Sequence, residues 1–428
     1  MKMEIVKAET TWSIVPDCGG LIDTIAVSLP QKVFDPANPH AEKILSAIGN
    51  LLKAMPLSVS ILVFADETNE AAAKTWLEEQ TACRFEVIVS GTTSLQSADI
   101  WTQDSILVRE KGSDLGLGAP KSDWPGGILP SLLARHLSVS CDDLPLFLPG
   151  GDQIVGGEFR IVGHTSRLRS ASAKYGGDGT LLEAERRIAQ LDHRPVCYWG
   201  YRRKDLTGKP INAVEGNMTG EPLSHSDGLM GSGAYREGTL PGDPYRDTLI
   251  PDLVTTIERC ESHVDRYVSP TGLRQNGKHL LLLADPVAVA PDSESKAKRE
   301  KRLLDASERW MRDQGFEIIR NPVPFATDVK NEVRPRLYNN VLLENAVRQG
   351  NSKPLMWLPC FGEDVRFSDF DAANARIWKD LGFDPRLVTG WESLAHANGA
   401  LRCASKVIRR QPYNKTEFAD QPCSGTVA

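Results

Sequence analysis

The sequence predicts a layered α/β fold in a single domain, spanning residues 1–428. Three observations carry that reading: short β-like apolar runs alternate with helical patterns, the alternation continues from end to end, and no hydrophilic linker is long enough to mark a boundary. Residues 21–29 have strand character and 41–53 read as an amphipathic helix. The run 58–64 (SVSILVF) is a short strand, 70–80 is helical, and 84–89 (RFEVIV) is a further strand. Gly, Pro, Asp and Ser break the pattern from 112 to 149, which predicts loops and short helices there. Strands at 159–162 and 195–200 flank a helix at 181–191. Residues 201–250 are rich in Gly, Pro, Asp and Arg without periodicity, the pattern of a functional flap or a surface insertion. Beyond them, 280–284 is a strand, and the charge run 293–302 opens a helix that continues to about 313. Strands follow at 316–320, 339–343 and 355–359, then a helix at 368–381 and a strand at 386–388.

Composition narrows the function classes. Of the 428 residues, 41% are hydrophobic and 25% charged, as in soluble globular proteins with a sizeable core. The net charge of −6 gives no electrostatic reason to expect nucleic acid and would favour a cationic substrate. No apolar run approaches the roughly 18–20 residues of a membrane helix, and the first residues lack the apolar core of a signal peptide. A cytoplasmic location with no membrane partner is therefore expected. Eight cysteines are scattered with no C-x-x-C pair, which argues against a zinc site and against a disulfide framework.

The stretch from Gly399 to Arg410 (GALRCASKVIRR) sets one cysteine between a glycine-and-apolar run and a basic segment. Cys403 on a turn or strand end, with cations nearby, would be drawn toward the thiolate, the species that attacks. Two upstream stretches single it out: Trp101-Thr102-Gln103-Asp104-Ser105 and Ser262-His263-Val264-Asp265. A Cys–His pair with one orienting carboxylate suggests acyl transfer, but a second carboxylate would oppose an oxyanion. Two carboxylates do suit a planar cation. Guanidinium presents five N–H donors in a rigid fork and stays charged at any physiological pH. Such a cation also makes a neighbouring thiolate easier to form. Thiolate attack on a guanidinium carbon is the chemistry these residue types fit.

These stretches resemble the guanidino-group-modifying enzymes, most closely the catalytic domain of peptidyl-arginine deiminases, with agmatine deiminases more distant. The resemblance rests on IWTQD (100–104), SHVDRYVSP (262–270), LYNNVLLENAV (337–347), LPCFG (358–362) and GALRCASKVIRRQP (399–412), over about 95–412. The segment GGDQIVGGEFRIVG (150–163) takes the place of a further glycine-rich strand. The resemblance implies an α/β propeller of five ββαβ modules around an acidic tunnel. It implies Cys403 as nucleophile, His263 as general acid and base, and Asp104 and Asp265 as carboxylates that grip the guanidinium. Peptidyl arginine would become citrulline with release of ammonia. A small guanidino substrate (agmatine or free arginine), an amidinotransferase, or a non-catalytic binding protein of the same fold are the alternatives.

Other residues have quieter readings beside sharper ones. Asp152 either contacts substrate or caps a Gly-Gly turn, and Trp101 either lines the substrate site or half-buries at a turn. Asn340 and Asn398 read as supports or as loop residues that satisfy backbone. Arg409 and Arg410 read as a solvated basic end, and Cys360 as buried and inert. One departure is clear: the deiminases carry His before the cysteine, where this chain has Arg402. Turned into the pocket, Arg402 would repel a cation; turned away, it would still favour the thiolate. The animal enzymes also carry N-terminal immunoglobulin-like domains and calcium sites. About 95 residues precede the match here, so neither is expected, and no cofactor is implied.

Overall fold

The computed structural model describes residues 12–95, 97–121, 126–199, 201–202, 257–258, 263–328 and 331–411. Strand β1 (Ser13–Ile14) is followed by β2 (Leu21–Leu29), the helix Ala41–Ala54, β3 (Ser60–Ala65), the helix Glu70–Gln80 and β4 (Phe85–Val89). Then come β5 (Leu107–Lys111), β6 (Asp114–Lys121), the helix Leu129–Leu137 and β7 (Ser140–Phe147). Next are β8 (Gln153–Val155), β9 (Arg160–Gly163), helices His164–Ala171 and Leu181–Ala189, and β10 (Val196–Trp199). A small pair, β11 (Tyr201–Arg202) and β12 (Ile257–Glu258), precedes β13 (Val268–Gln275), β14 (Lys278–Ala288), the helix Glu294–Asp313, β15 (Phe316–Thr327) and β16 (Val333–Pro335). The chain continues through β17 (Leu342–Leu343), β18 (Leu355–Pro359), the helix Ser368–Asp380, β19 (Asp384–Val388) and β20 (Ser405–Gln411).

Five sheets share one construction. An antiparallel pair is extended by a parallel strand: β5–β6–β7, β8–β9–β10, β13–β14–β15, β17–β18–β19 and β20–β2–β3. Parallel neighbours need a crossover, and a helical stretch supplies it each time. The fifth unit is assembled from both ends of the chain, since β20 pairs with β2.

The pattern follows from the residues. The helix Ala41–Ala54 buries Ile44, Ala47, Ile48, Leu51 and Leu52, one stripe at helical spacing. Strand β14 lies between two neighbours, and Leu280 to Leu283 are buried on both faces. Each such leucine contributes about 1.5–3 kcal/mol by leaving water. Among the described residues the larger of two apolar clusters runs from Val15 to Ile408 and draws on all five units; the smaller joins Ile14, Leu107, Leu144 and Ile188 among others.

Most predicted elements appear close to their expected bounds, and the reading of 112–149 as loops and short helices is corrected in its loops, which give way to strands, while a short helix is present. That segment holds β6, the helix Leu129–Leu137 and β7. Its breakers are tolerated for packing reasons: a Cβ on Gly118 would lie 2.5 Å from Leu144, and one on Gly116 would lie 3.0 Å from Trp12. Pro130 stands in the first turn of its helix, where a missing N–H costs nothing. The predicted strand at 339–343 shrinks to Leu342–Leu343, because residues 338–341 turn, with the Asn340 N–H donating to Leu337 O. Strands β5, β13 and β20 were not anticipated. The predicted flap at 201–250 lies outside the described residues apart from 201–202. Among the described residues, no helix is long and apolar enough to cross a membrane.

One regularity positions everything that follows. The first strand of each unit is preceded by a short turn: Thr102–Ser105 before β5, Gly150–Asp152 before β8, Val264–Arg266 before β13, residues 338–341 before β17 and residues 401–404 before β20.

Candidate active site

These five lead-in turns are stitched to one another. The Gln103 N–H donates to Cys403 O (3.2 Å), and the Gln103 side chain donates to Gly150 O (3.2 Å). The Gly151 N–H donates to Asp104 Oδ1 (2.7 Å). The Arg402 N–H donates to Asn340 O (3.3 Å), and the Cys403 N–H to Asn340 Oδ1 (3.0 Å). With its oxygen so engaged, the Asn340 amide turns its Nδ2 toward Asp265 Oδ2 (2.9 Å) and Cys403 Sγ (3.1 Å).

The structure thereby brings Cys403, His263, Asp104 and Asp265 together from segments some 300 residues apart. Cys403 Sγ lies 3.5 Å from Asp265 Oδ2, and His263 Nδ1 lies 3.6 Å from Asp104 Oδ1. Gly151 stands at the centre. A Cβ there would come 2.5 Å from His263 Nδ1, 3.0 Å from Asp104 Oδ1 and 3.2 Å from Asp265 Oδ1. Those three atoms therefore converge on a space that only glycine leaves open.

Burial sets the electrostatics. Cys403 is buried, and its thiol is raised well above the ordinary 9.0, first by desolvation and then by Asp265 and Asp104. The expectation that nearby cations make the resting thiol acidic is thus corrected: burial and two carboxylates outweigh Arg402. Asp104 is raised as well, mainly by burial, against the pull of His263. Lys406, buried in β20, is pushed down to about 8 by desolvation, with Arg402 adding to the effect.

Arg402 answers its own question. Its guanidinium donates to Asp265 Oδ2 (2.6 Å), to Asp17 Oδ1 (2.8 Å from Nη2, 3.1 Å from Nε), and to the carbonyls of Gly150 (3.2 Å) and Gln153 (3.1 Å). Burial would strip its proton, but Asp17 and Asp265 prevail and hold it more firmly protonated than usual. Its charge is consumed between two carboxylates.

The remaining predicted residues are placed as follows. Asp152 is buried, and its Oδ2 accepts from the Ser166 N–H (3.0 Å) and hydroxyl (2.6 Å), closing the first turn of His164–Ala171. Trp101 is half-buried with its ring against Gly399, where a Cβ would come within 2.2 Å. Arg410, expected in solvent, donates to the carbonyls of Pro16, Asp17, Gly19 and Leu343. Asn398 accepts from Arg266 (3.2 Å) and Arg334 (2.9 Å). Sequence reasoning missed Asp17, Gly151 and Lys406; the Gly-Gly pair was the one signal that pointed to Gly151. Among the described residues, no three His, Cys, Asp or Glu side chains are arranged to hold a metal ion. A surface groove bounded by Phe34, Glu42 and Trp76 shares no residue with this site.

No protein-family model matches the sequence, and no curated protein matches it. Solved structures do. The agmatine deiminase of C. jejuni superposes with a TM-score of 0.58 at 12% identity, over 94% of this chain and 97% of that one. The fold is that of the deiminases. An agmatine deiminase of Enterococcus faecalis gives 0.57 at 10% identity, over 92% and 95% of the two chains. A proposed peptidyl-arginine deiminase gives 0.57 at 11%, over 93% and 98%. On this fold, the lead-in turns and the residue before one of them set the Cys403 thiol beside the Asp265 carboxylate and the His263 imidazole beside Asp104.

Proposed function

We propose that the protein is a cysteine-dependent hydrolase of guanidinium groups, with the five ββαβ units as blades of an α/β propeller and the lead-in turns at its centre. The observation that carries this reading is the convergence of Asp104 Oδ1, Asp265 Oδ1 and His263 Nδ1 on one space beside Cys403. Two buried carboxylates suit a planar cation and oppose an oxyanion. The arriving cation offsets the charges that keep the thiol protonated, so binding itself favours the thiolate.

As the cation binds, the Cys403 thiol passes its proton to His263, Sγ attacks the guanidinium carbon, and the Asn340 amide stands ready to donate to the sulfur. His263 protonates the departing nitrogen, ammonia leaves, and an amidino-thioether remains on Cys403. His263 next takes a proton from water, which attacks the same carbon and releases a ureido product and the free thiol.

For the substrate, the agmatine deiminases among the similar structures favour a small guanidino compound such as agmatine. Peptidyl arginine is the second reading. It is supported by the motif-level resemblance and by one similar structure proposed as a peptidyl-arginine deiminase. The test is a colorimetric assay for ureido product with agmatine, free arginine and arginine peptides. Agmatine is expected to be turned over fastest. If none of the three yields ureido product or ammonia, the hydrolase reading fails.

A further inference from the structure

The two oxygens of the Asp265 carboxylate have different surroundings. The residue is fully buried. Oδ2 accepts from Arg402 Nη1 and from Asn340 Nδ2, and it is the oxygen nearest Cys403 Sγ. Among the described residues Oδ1 accepts from no group, and it is out of contact with solvent. An unpaired buried carboxylate oxygen is costly to keep, and the carboxylate would gain by rotating if nothing held it. Oδ1 also lies 3.2 Å from the point where a Cβ on Gly151 would stand, with His263 Nδ1 and Asp104 Oδ1 at 2.5 and 3.0 Å from the same point.

What holds it is a relay that begins outside the site. Asp17 is fixed on β8: its N–H donates to Val155 O (2.8 Å), and its Oδ2 accepts from the Val155 N–H (2.7 Å). Its Oδ1 takes Nε and Nη2 of Arg402, which leaves Nη1 aimed at Asp265. Only a planar fork can span two carboxylates in this way; a lysine ammonium is a single point of charge.

We propose that Asp17 and Arg402 form a positioning pair that divides the Asp265 carboxylate, holding Oδ2 inside the protein and reserving Oδ1 for one N–H of a guanidinium. Asp265 then makes a single contact to the cation instead of a bidentate clasp, and Asp104 supplies the other acceptor. This rests on the guanidinium-binding part of the proposed function. It gives Arg402 a role that neither repels the substrate nor touches it.

The test uses the guanidinium ion itself, below about 0.2 M and so far under the molar range that unfolds proteins. Ionic strength is held constant. The readout is the rate of Cys403 alkylation by iodoacetamide, followed by peptide mass spectrometry, against guanidinium concentration. Asp17→Asn is expected to raise the half-effect concentration about tenfold, the equivalent of one charge-assisted hydrogen bond. With a turned-over substrate, KM should rise about tenfold while kcat stays within about threefold, the signature of lost binding. Asp17→Glu should recover part of the loss. Arg402→Lys should behave as Asp17→Asn does, and it carries the same test if Asp17→Asn does not fold.

An unchanged half-effect concentration in both variants overturns the inference, whatever happens to the melting temperature. A loss confined to kcat also overturns it, since Arg402 would then act on the chemistry of the thiol. If guanidinium has no effect on wild-type alkylation, the inference falls. If guanidinium binds as described but no guanidino compound is turned over, the positioning pair stands and the hydrolase reading falls.

Discussion

Cys403 and Cys360 make a natural pair for comparison. Both are buried, both follow apolar runs, and burial raises both thiols above the ordinary 9.0. Each also has an aspartate nearby. The difference lies in where each stands within its ββαβ unit. Cys360 follows β18, the middle strand, and faces its own unit: its thiol approaches Leu358 O, and its N–H donates to Val388 O (2.8 Å). Its aspartate, Asp371, is occupied by the Tyr338 hydroxyl (2.5 Å) and the N–H groups of Phe361 (3.0 Å) and Gly362 (2.8 Å). Cys403 stands before the first strand, where the turns of all five units meet, and its neighbours come from other units. A cysteine becomes a candidate nucleophile here by its position in the repeat. Burial and local sequence do not separate the two.

The largest effect that would break this contrast is on turnover. Cys403→Ala should lower kcat for a guanidino substrate by at least about 10³-fold, because no covalent intermediate can form. Cys360→Ala should leave kcat within about threefold and instead cost about 1–2 kcal/mol of stability. Steady-state kinetics and thermal melts on both variants decide it. Equal losses of activity would dissolve the distinction.

A smaller effect concerns pH. In the free protein, Cys403 alkylation should stay slow at neutral pH and rise only above pH 9.0, since burial, Asp265 and Asp104 all oppose the thiolate. Arg402→His removes a fixed cation from beside the sulfur and should move the rise to still higher pH. A profile that stays put, or moves to lower pH, would show that Arg402 has no electrostatic hold on the thiol.

The last effect is on stability and leaves turnover aside. Lys406 is held at about 8 when folded, against an ordinary 10.5, so the unfolded chain binds the proton more tightly. The residue therefore subtracts stability below pH 8, and the deficit closes as pH rises from 8 to 10.5. Lys406→Met should stabilise the protein at pH 7 by up to about 3 kcal/mol, with the gain shrinking at pH 10. Melting curves at the two pH values check it. A gain that does not depend on pH would assign the effect to packing.

Much of this was legible in the sequence. The apolar runs at 21–29, 58–64, 280–284 and 355–359 form strands because their side chains suit burial on a sheet, and that preference is local. The same holds for the helix stripes at 41–53 and 70–80. Cys403, His263, Asp104 and Asp265 could be singled out because the stretches that hold them, in their order and spacing, resemble those of the guanidino-group-modifying enzymes. What local sequence could not determine was company. Gly116 and Gly118 read as breakers, yet both pair with β5 and β7, and Trp12 and Leu144 come close enough that an added side chain would collide with them. Asp17 looks like any loop aspartate until the fold brings it against Arg402, 385 residues away. Arg402 read as a question of pointing in or out, but its direction is set by Asp17 and Asp265 together. Hydrogen bonds and buried charges depend on distances of a few ångströms between segments remote in sequence, and the closing of the fifth sheet by both chain ends sets those distances.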